Sequence, residues 1–312
     1  MLPCCGRRST WCLLNTRSVV NKAALIHDTL ESYDLDFVAL TETWLRGDDP
    51  PAILQDLAPA GYSVIHFHRG VKGKSRGGGI SFIFREGLSV SALDLKFKPK
   101  FFELLTVKLC DGNRRVNISI LYRPPPAPTS PFFDELNSLC DILDATPGEH
   151  ILLGDFNCPA TFPCIDPRLE VIFSDRNYLQ HVKEPTRGDN LLDLIISFGS
   201  INPHFILDIK LSLVPFSDHK LITFKLRFPR AILQNVTFSY RNLHHIDSST
   251  FVNLMHQSKI STNPPSCADE YADQLDADVT SALNTVAPLI TKTKRPAFRS
   301  TAKWITGEAI AA

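Results

Sequence analysis

The chain has 312 residues, 44% of them hydrophobic, which is enough for one large core or for a core with an appendage. Lysine plus arginine number 33 and aspartate plus glutamate number 33, so net charge gives no ground for a nucleic-acid partner and any basic face must be local. Eight cysteines without a Cys-x-x-Cys pair argue against a disulfide scaffold or a zinc ribbon, and for free thiols in a reducing compartment.

The segment Met1 to Arg8 is basic but lacks the apolar stretch of a signal peptide, and no run reaches the length of a membrane helix. A soluble, intracellular protein with a flexible stretch over residues 1–10 is expected; Cys4 and Cys5 could accept palmitate, although plain surface thiols are the simpler expectation. Trp11 to Leu14 reads as a strand, Val19 to Tyr33 as a helix capped by Ser18, and Asp36 to Thr41 as a second strand. Further strands fit Tyr62–Phe67, Gly78–Phe84, Phe101–Leu109, Arg114–Tyr122, Glu149–Gly154, Leu191–Ser197, His204–Lys210 and Lys220–Leu226. Helices are expected at Thr129–Asp144, after the proline-rich break Arg123-Pro124-Pro125-Pro126, and around Arg168–Gln180. The Asp111-Gly112-Asn113 link is too short for a helical crossover, so the strands on either side of it must pair antiparallel. A mixed sheet in an α/β domain follows, and runs that are apolar on both faces call for two sheets covered by helices.

Beyond Phe228 the texture becomes polar, with helices expected near Ser248–Ser258 and Cys267–Ala287 and a basic tail of Lys292, Lys294, Arg295, Arg299 and Lys303 around Trp304. Residues 11–229 are therefore read as the main domain and 230–312 as a helical appendage with a basic end.

Several polar residues share one property, which is that each ends or interrupts an apolar strand. They are Asn15, Glu42, Tyr122, Asp155 with Asn157, and Asp218 with His219. Antiparallel neighbours would gather such groups at one mouth. Asp193 sits inside Leu191-Leu192-Asp193-Leu194-Ile195-Ile196, where a carboxylate needs a cationic partner, and His219 is the natural candidate. Carboxylates, an amide and an imidazole at sheet rims suggest a phosphoester-cleaving metal site. In an extended segment Asp155 and Asn157 project to the same side; the bland alternative for Gly-Asp-Phe-Asn is an Asx turn.

Other signals carry less. Gly77-Gly78-Gly79 is not a phosphate loop, because no Gly-x-x-x-x-Gly-Lys-Ser/Thr string occurs, and it reads as a flexible turn entering a strand. On that loop Arg69, Lys72, Lys74 and Arg76 suit either a nucleic-acid backbone or plain solvation. Cys158 and Cys164, near His150 and His181 in sequence, fit no standard zinc spacing. A serine nucleophile is disfavoured, since Ser217 abuts the histidine that would have to serve it and no Gly-x-Ser-x-Gly elbow exists.

Leu14-Asn15, Leu40-Thr41-Glu42-Thr43-Trp44, Tyr122-Arg123-Pro124-Pro125, Gly154-Asp155-Phe156-Asn157, Leu192-Asp193-Leu194-Ile195 and Ser217-Asp218-His219 occur in one order along the chain. Over Trp11–Pro229 this set resembles the endonuclease/exonuclease/phosphatase superfamily, most closely the apurinic-endonuclease-like domain of non-LTR (LINE-type) retrotransposons. From Phe238 onward the chain resembles the connector that precedes reverse transcriptase in such elements, and no Tyr-x-Asp-Asp string is present. The resemblance implies a four-layer, DNase I-like α/β sandwich and a divalent ion, Mg²⁺ with Mn²⁺ as the alternative, held mainly by Glu42 with Asn15 and Asp218 nearby. It further implies that Asp155 deprotonates the attacking water, that Asn157, His219 and Tyr122 meet the scissile phosphate, and that Asp193 orients His219. Thr186, Arg76 and Lys74 are the DNA contacts it suggests. Apurinic endonucleases carry an acidic ligand two residues after the asparagine, where this chain has Arg17, a departure shared with LINE-type relatives.

The expected function is a metal-dependent DNA endonuclease, a phosphodiester hydrolase that nicks target DNA and leaves a 3′-hydroxyl for target-primed reverse transcription. Nuclear residence would follow from that substrate alone, with the cytoplasm as the alternative, and no membrane is expected as a partner. Two other readings keep the fold: a phosphatase of phosphorylated lipids or inositols, and a retroelement-derived relic that binds DNA without cutting it.

Overall fold

The computed structural model describes residues 8–49, 51–68, 77–126, 128–160, 162–199, 205–228, 236–243 and 246–294. In chain order the elements begin with β1 (Ser9–Asn15), α1 (Ala23–Ser32), β2 (Phe37–Thr41), α2 (Pro51–Asp56), β3 (Tyr62–Phe67) and β4 (Ile80–Arg85). Next come β5 (Ser89–Ala92), β6 (Glu103–Asp111), β7 (Arg114–Tyr122), α3 (Ser130–Ala145), β8 (Glu149–Asp155) and α4 (Pro167–Ser174). They continue with β9 (Leu179–Gln180), β10 (Asp193–Ser197), β11 (Ile206–Ser212) and β12 (Leu221–Leu226). The last group is β13 (Val236–Tyr240), α5 (Ser248–Gln257), α6 (Lys259–Thr262), α7 (Ala268–Val286) and β14 (Ile290–Lys294).

Two six-stranded sheets carry the first part of the chain, ordered β11-β12-β1-β2-β4-β3 and β5-β6-β7-β8-β10-β9. Both are mixed: β1 with β2 and β7 with β8 are parallel, and the other pairs are antiparallel. In β1 the period of two sends Trp11 and Leu13 into the core shared with the second sheet, while Cys12 and Leu14 pack beneath Ile26 and Leu30 of α1. Burial on both faces explains the unbroken apolar runs. Trp11 stacks on Phe37 at 4.0 Å between ring centres and lies beside Phe82 and Phe224. Helix α3 contributes Phe132, Leu136, Leu139 and Leu143 to the core of the second sheet, completing helix, sheet, sheet and helix layers of the DNase I-like type.

Strands β1 and β2 of one sheet face β7 and β8 of the other. These are the strands whose ends carry Asn15, Glu42, Tyr122 and Asp155, and the parallel pairing within each couple puts both C-terminal ends on one side. Antiparallel pairing alone is therefore not what gathers these groups. The remaining site residues come on β10 and before β12, which run antiparallel to β8 and β1 and so present their N-terminal ends with Asp193 and His219.

The helix expected over Val19–Tyr33 starts at Ala23, and Ser18 is not its cap. The amides of Ser18 and Val19 instead donate to the carbonyls of Glu42 and Thr43, prolonging the β1–β2 pairing beyond both strands. Arg17, Ser18 and Asn21 take positive φ as the chain leaves that ribbon. The helix expected over Arg168–Gln180 stops at Ser174, because Asn177 adopts φ 55° and Leu179–Gln180 then pairs with β10 at the sheet edge. Nor is Gly77-Gly78-Gly79 a loose turn. The Gly78 and Gly79 carbonyls accept from Trp44 and Thr43, Gly79 N–H donates to Glu103 Oε2 at 2.6 Å, and a Cβ at Gly79 would lie 2.4 Å from Thr43 Oγ1.

Residues 233–297 cluster as a second compact unit built from α5, α6, α7 and the antiparallel pair β13–β14. Lys292 and Lys294 belong to β14 rather than to a tail, while Arg295, Arg299, Lys303 and Trp304 lie outside the described residues. Cys4, Cys5 and the basic residues Arg69, Lys72, Lys74 and Arg76 lie outside them as well. Cys158 is buried and Cys164 exposed, both as free thiols. Among the described residues, no helix is long and apolar enough to cross a membrane.

Candidate active site

Asn15, the last residue of β1, is fully buried and acts as a strap between the sheets. Its Nδ2 donates to Glu42 Oε1 at 3.1 Å and to Asp155 Oδ2 at 2.8 Å, so these two carboxylate oxygens are no farther apart than those bonds combined. Its Oδ1 accepts from Arg17 N–H at 3.0 Å. Asn15 thus turns its amide nitrogen toward the two acids and its oxygen toward Arg17.

Glu42 follows β2 at φ 53°, a conformation imposed by the neighbouring amides of Thr43 and Trp44, which are tied to the glycine turn. Trp44 Nε1 donates to Glu42 Oε2 at 3.3 Å. Each Glu42 oxygen thus has one donor of known direction. Sequence reasoning gave Trp44 no role, although its place two residues after the acid, beside a turn that lacks side chains, was the available signal.

Asp155 ends β8 and is 1% exposed. Gly154 before it takes φ 140°, and a Cβ there would lie 1.9 Å from the Leu121 carbonyl oxygen on β7, so close approach of the two strands requires glycine. Asp155 Oδ1 accepts from Asn157 N–H at 2.8 Å, and Asn157 has φ 48°. The segment is an Asx turn rather than an extended stretch, so the same-side argument for the two side chains does not apply. The Asn157 amide reaches the Arg123 carbonyl at 3.4 Å. Arg123, another residue passed over in the sequence, is 4% exposed and threads under this turn, donating to the carbonyls of Phe156, Asn157, Pro124 and Pro126. A proline-rich break cannot continue a strand ladder, so the Pro124 and Pro126 carbonyls are left for another donor, which was the legible clue.

Asp193 does not sit within a strand as its sequence suggested; it opens β10, directly opposite Asp155. Asp193 Oδ2 lies 2.7 Å from His219 Nδ1, with both side chains 2% exposed. Asp193 Oδ1 is buried without a hydrogen-bond partner. Thr186, expected to touch DNA, is 0% exposed, and its hydroxyl accepts from the amides of Leu192 and Asp193 at 3.1 and 3.0 Å. The geometry corrects that role to an internal brace for the strand that carries Asp193. Tyr122 is 2% exposed at the end of β7, opposite Asp155.

Asp218 departs most from expectation. Its Oδ2 receives Arg17 at 3.2 Å and Arg187 at 2.7 Å, so an oxygen anticipated for a metal is already shared by two guanidiniums.

The electrostatics show how crowded the site is. Burial, and then the charge of Asp193, push Asp155 up to about 8, against the opposing influence of His219 and the Asn15 hydrogen bond. Burial disfavours a charged His219, yet Asp193 through its charge and hydrogen bond, with Asp155 and Asp218, outweighs that and pushes the imidazole up to about 9. Ligand atoms of Asp155, Asp193 and His219 lie within 4.8 Å of one another, a spacing that could hold a metal ion. Three observations fit a hard divalent cation: acids too numerous for their donors, an orphaned Asp193 oxygen, and Glu42 oxygens with spare lone pairs.

Comparison with solved structures gives the same fold. An AP endonuclease from Leishmania major matches with a TM-score of 0.57 and 16% identity, covering 72% of this chain and 89% of its own. An AP endonuclease from Archaeoglobus fulgidus matches at 0.54 and 15%, covering 70% and 99%. The endonuclease domain of TRAS1, a telomere-specific non-LTR retrotransposon, matches at 0.53 and 14%, also covering 70% and 99%. No curated protein matches the sequence at a significant level. Residues 12–219, from the fourth residue of β1 to the histidine that pairs with Asp193, match the model of the Endonuclease/Exonuclease/phosphatase family, and the chain belongs to that family.

Proposed function

We propose that the chain is a divalent-metal-dependent endonuclease that hydrolyses a DNA phosphodiester, nicking one strand and leaving a 3′-hydroxyl of the kind that primes reverse transcription at a target site. The observation that carries this reading is the meeting of Glu42, Asp155, Asp193 and His219, from four elements on two sheets, around one strap residue and one ion pair. The ordered motif set favours the retroelement branch, and the fold is shared with the TRAS1 endonuclease domain.

Glu42 would hold the ion, with Asn15 fixing its direction. Bound there, Mg²⁺ or Mn²⁺ supplies a Lewis acid that offsets charge on the phosphoryl oxygens. With the cation held beside it at Glu42 to favour its charged form, Asp155 would take the proton of the attacking water as the new P–O bond forms. His219 is protonated at neutral pH, gives Nδ1–H to Asp193, and offers Nε2–H to a non-bridging phosphate oxygen. The Asn157 amide, beside the Asp155 turn, is the second such donor, and Tyr122 borders the same end of the sheet. As the bond to the 3′ oxygen breaks, that oxygen takes a proton from solvent, leaving a 3′-hydroxyl and a 5′-phosphate.

A supercoiled plasmid tests the proposal. Open circles should accumulate with Mg²⁺ and not with EDTA, and the nicks should be extended directly by a DNA polymerase. A wild-type protein that leaves the plasmid intact with both Mg²⁺ and Mn²⁺ contradicts it, and release of phosphate from lipid or inositol headgroups in place of nicking would move the assignment to a phosphatase.

A further inference from the structure

We infer that Arg17 and Arg187 form a binding site for a DNA backbone phosphate next to the scissile one, with Asp218 serving as their tether. The inference rests on the endonuclease reading and adds to it a specific contact that the substrate makes.

Both guanidiniums converge on a single oxygen, Asp218 Oδ2, at 3.2 and 2.7 Å. Two positive charges against one negative leave a net surplus, and Lys22 adds another cation through Nζ bonds to the carbonyls of Thr16, Arg17 and Phe216. The surplus is accessible: the Arg17 and Arg187 side chains are 53% and 43% exposed. Each guanidinium has five N–H donors, so binding Asp218 leaves most of them facing outward. A rim ion pair of this kind contributes little to folding, and stability alone does not account for two arginines on one acid.

Their backbones are fixed independently of Asp218. Arg17 has φ 43°, with its N–H on Asn15 Oδ1 and its carbonyl on Lys22. Arg187 closes a tight turn with Asn190, each amide donating to the other's carbonyl. Asp218 adjoins His219, so the arginines stand at the edge of the candidate active site, where the strand continues past the bond to be cut. Planar guanidinium forks match phosphate oxygens bidentately, and a contact to the backbone positions DNA without reading its sequence.

The test is fluorescence anisotropy of a labelled duplex bound by the full chain in EDTA over a range of salt concentrations, for wild type, Arg17→Gln and Arg187→Gln. Each substitution should lower the slope of log K against log salt by about 1 and weaken binding similarly on unrelated sequences. Asp218→Asn, which frees both arginines, should tighten binding at low salt. With Mg²⁺, both arginine variants should lose far more on plasmid, as a raised KM, than on the small diester bis(p-nitrophenyl) phosphate. Unchanged slopes in both arginine variants of a wild type that binds and nicks DNA would overturn this inference alone. A wild type that neither binds the duplex nor cleaves the small diester would overturn the endonuclease reading and this inference with it.

Discussion

Asp155→Asn should lower plasmid nicking by about 10²- to 10⁴-fold, the range expected for loss of a general base. The same substitution should make the metal-free protein more stable. Asp155 is buried opposite Asp193 and near Glu42, and its folded-state proton affinity lies far above that of an unfolded aspartate. A carboxyl raised in this way favours the folded state fully only below its unfolded value near 4, and that contribution is lost as pH climbs through about 8. His219, also raised, stabilises below its unfolded value near 6.5 and ceases to do so as pH passes about 9. Urea unfolding in EDTA should therefore show wild-type stability declining from mildly acidic pH to pH 9, with a shallower decline for Asp155→Asn. The variant should gain at least about 1 kcal/mol at pH 9. A variant that is less stable than wild type at pH 9 would mean that the acid is not held at a cost.

Gly154→Ala should cost on the order of 3–5 kcal/mol or abolish folding, through two mechanisms that act together. The added methyl would meet the Leu121 carbonyl carbon and oxygen at 2.8 and 1.9 Å, and that backbone lies within the central β7–β8 pairing, where it cannot yield easily. The residue also holds φ 140°, which an alanine tolerates poorly. Gly87→Ala is the matched control: its φ is 84° and nothing lies within 4 Å of the new carbon, so only the backbone cost of about 1 kcal/mol remains. Equal losses in urea unfolding of the two variants would show that the strand contact at Gly154 is not tight.

Much of the sandwich was legible because buried strands carry their own signature. Tyr62–Phe67 and Arg114–Tyr122 matched residue for residue, since each opens directly after a glycine or a turn dipeptide that fixes where pairing can begin. Boundaries failed where tertiary partners decide them. Val19 looks helical by period, but its amide is claimed by Thr43 from a different part of the chain. Tyr178 to Gln180 continues a helical pattern, but the strand edge of β10 competes for it.

The candidate site was legible as a set of strand-end polar groups, and its pairing of Asp193 with His219 followed from the cost of burying a lone carboxylate. The roles within it were less legible. Nothing in the sequence says which end of the Asn15 amide faces the acids, that Thr186 is turned inward, or that Arg17 and Arg187 close on Asp218, because each depends on residues brought together from distant segments. Conformation hid the rest: Glu42 and Asn157 both adopt positive φ, so extrapolating the strand alternation beyond β2 and β8 sends their side chains the wrong way.

The central claim is that acids from separate strands share one divalent ion, and a titration of the full chain with Mn²⁺ followed by electron paramagnetic resonance tests it most directly. The account predicts one ion per chain, displaced by excess Mg²⁺ and lost in Glu42→Gln while the variant stays folded. Mn²⁺ binding that is equally tight in wild type and Glu42→Gln, or absent from the folded wild-type protein, would contradict it.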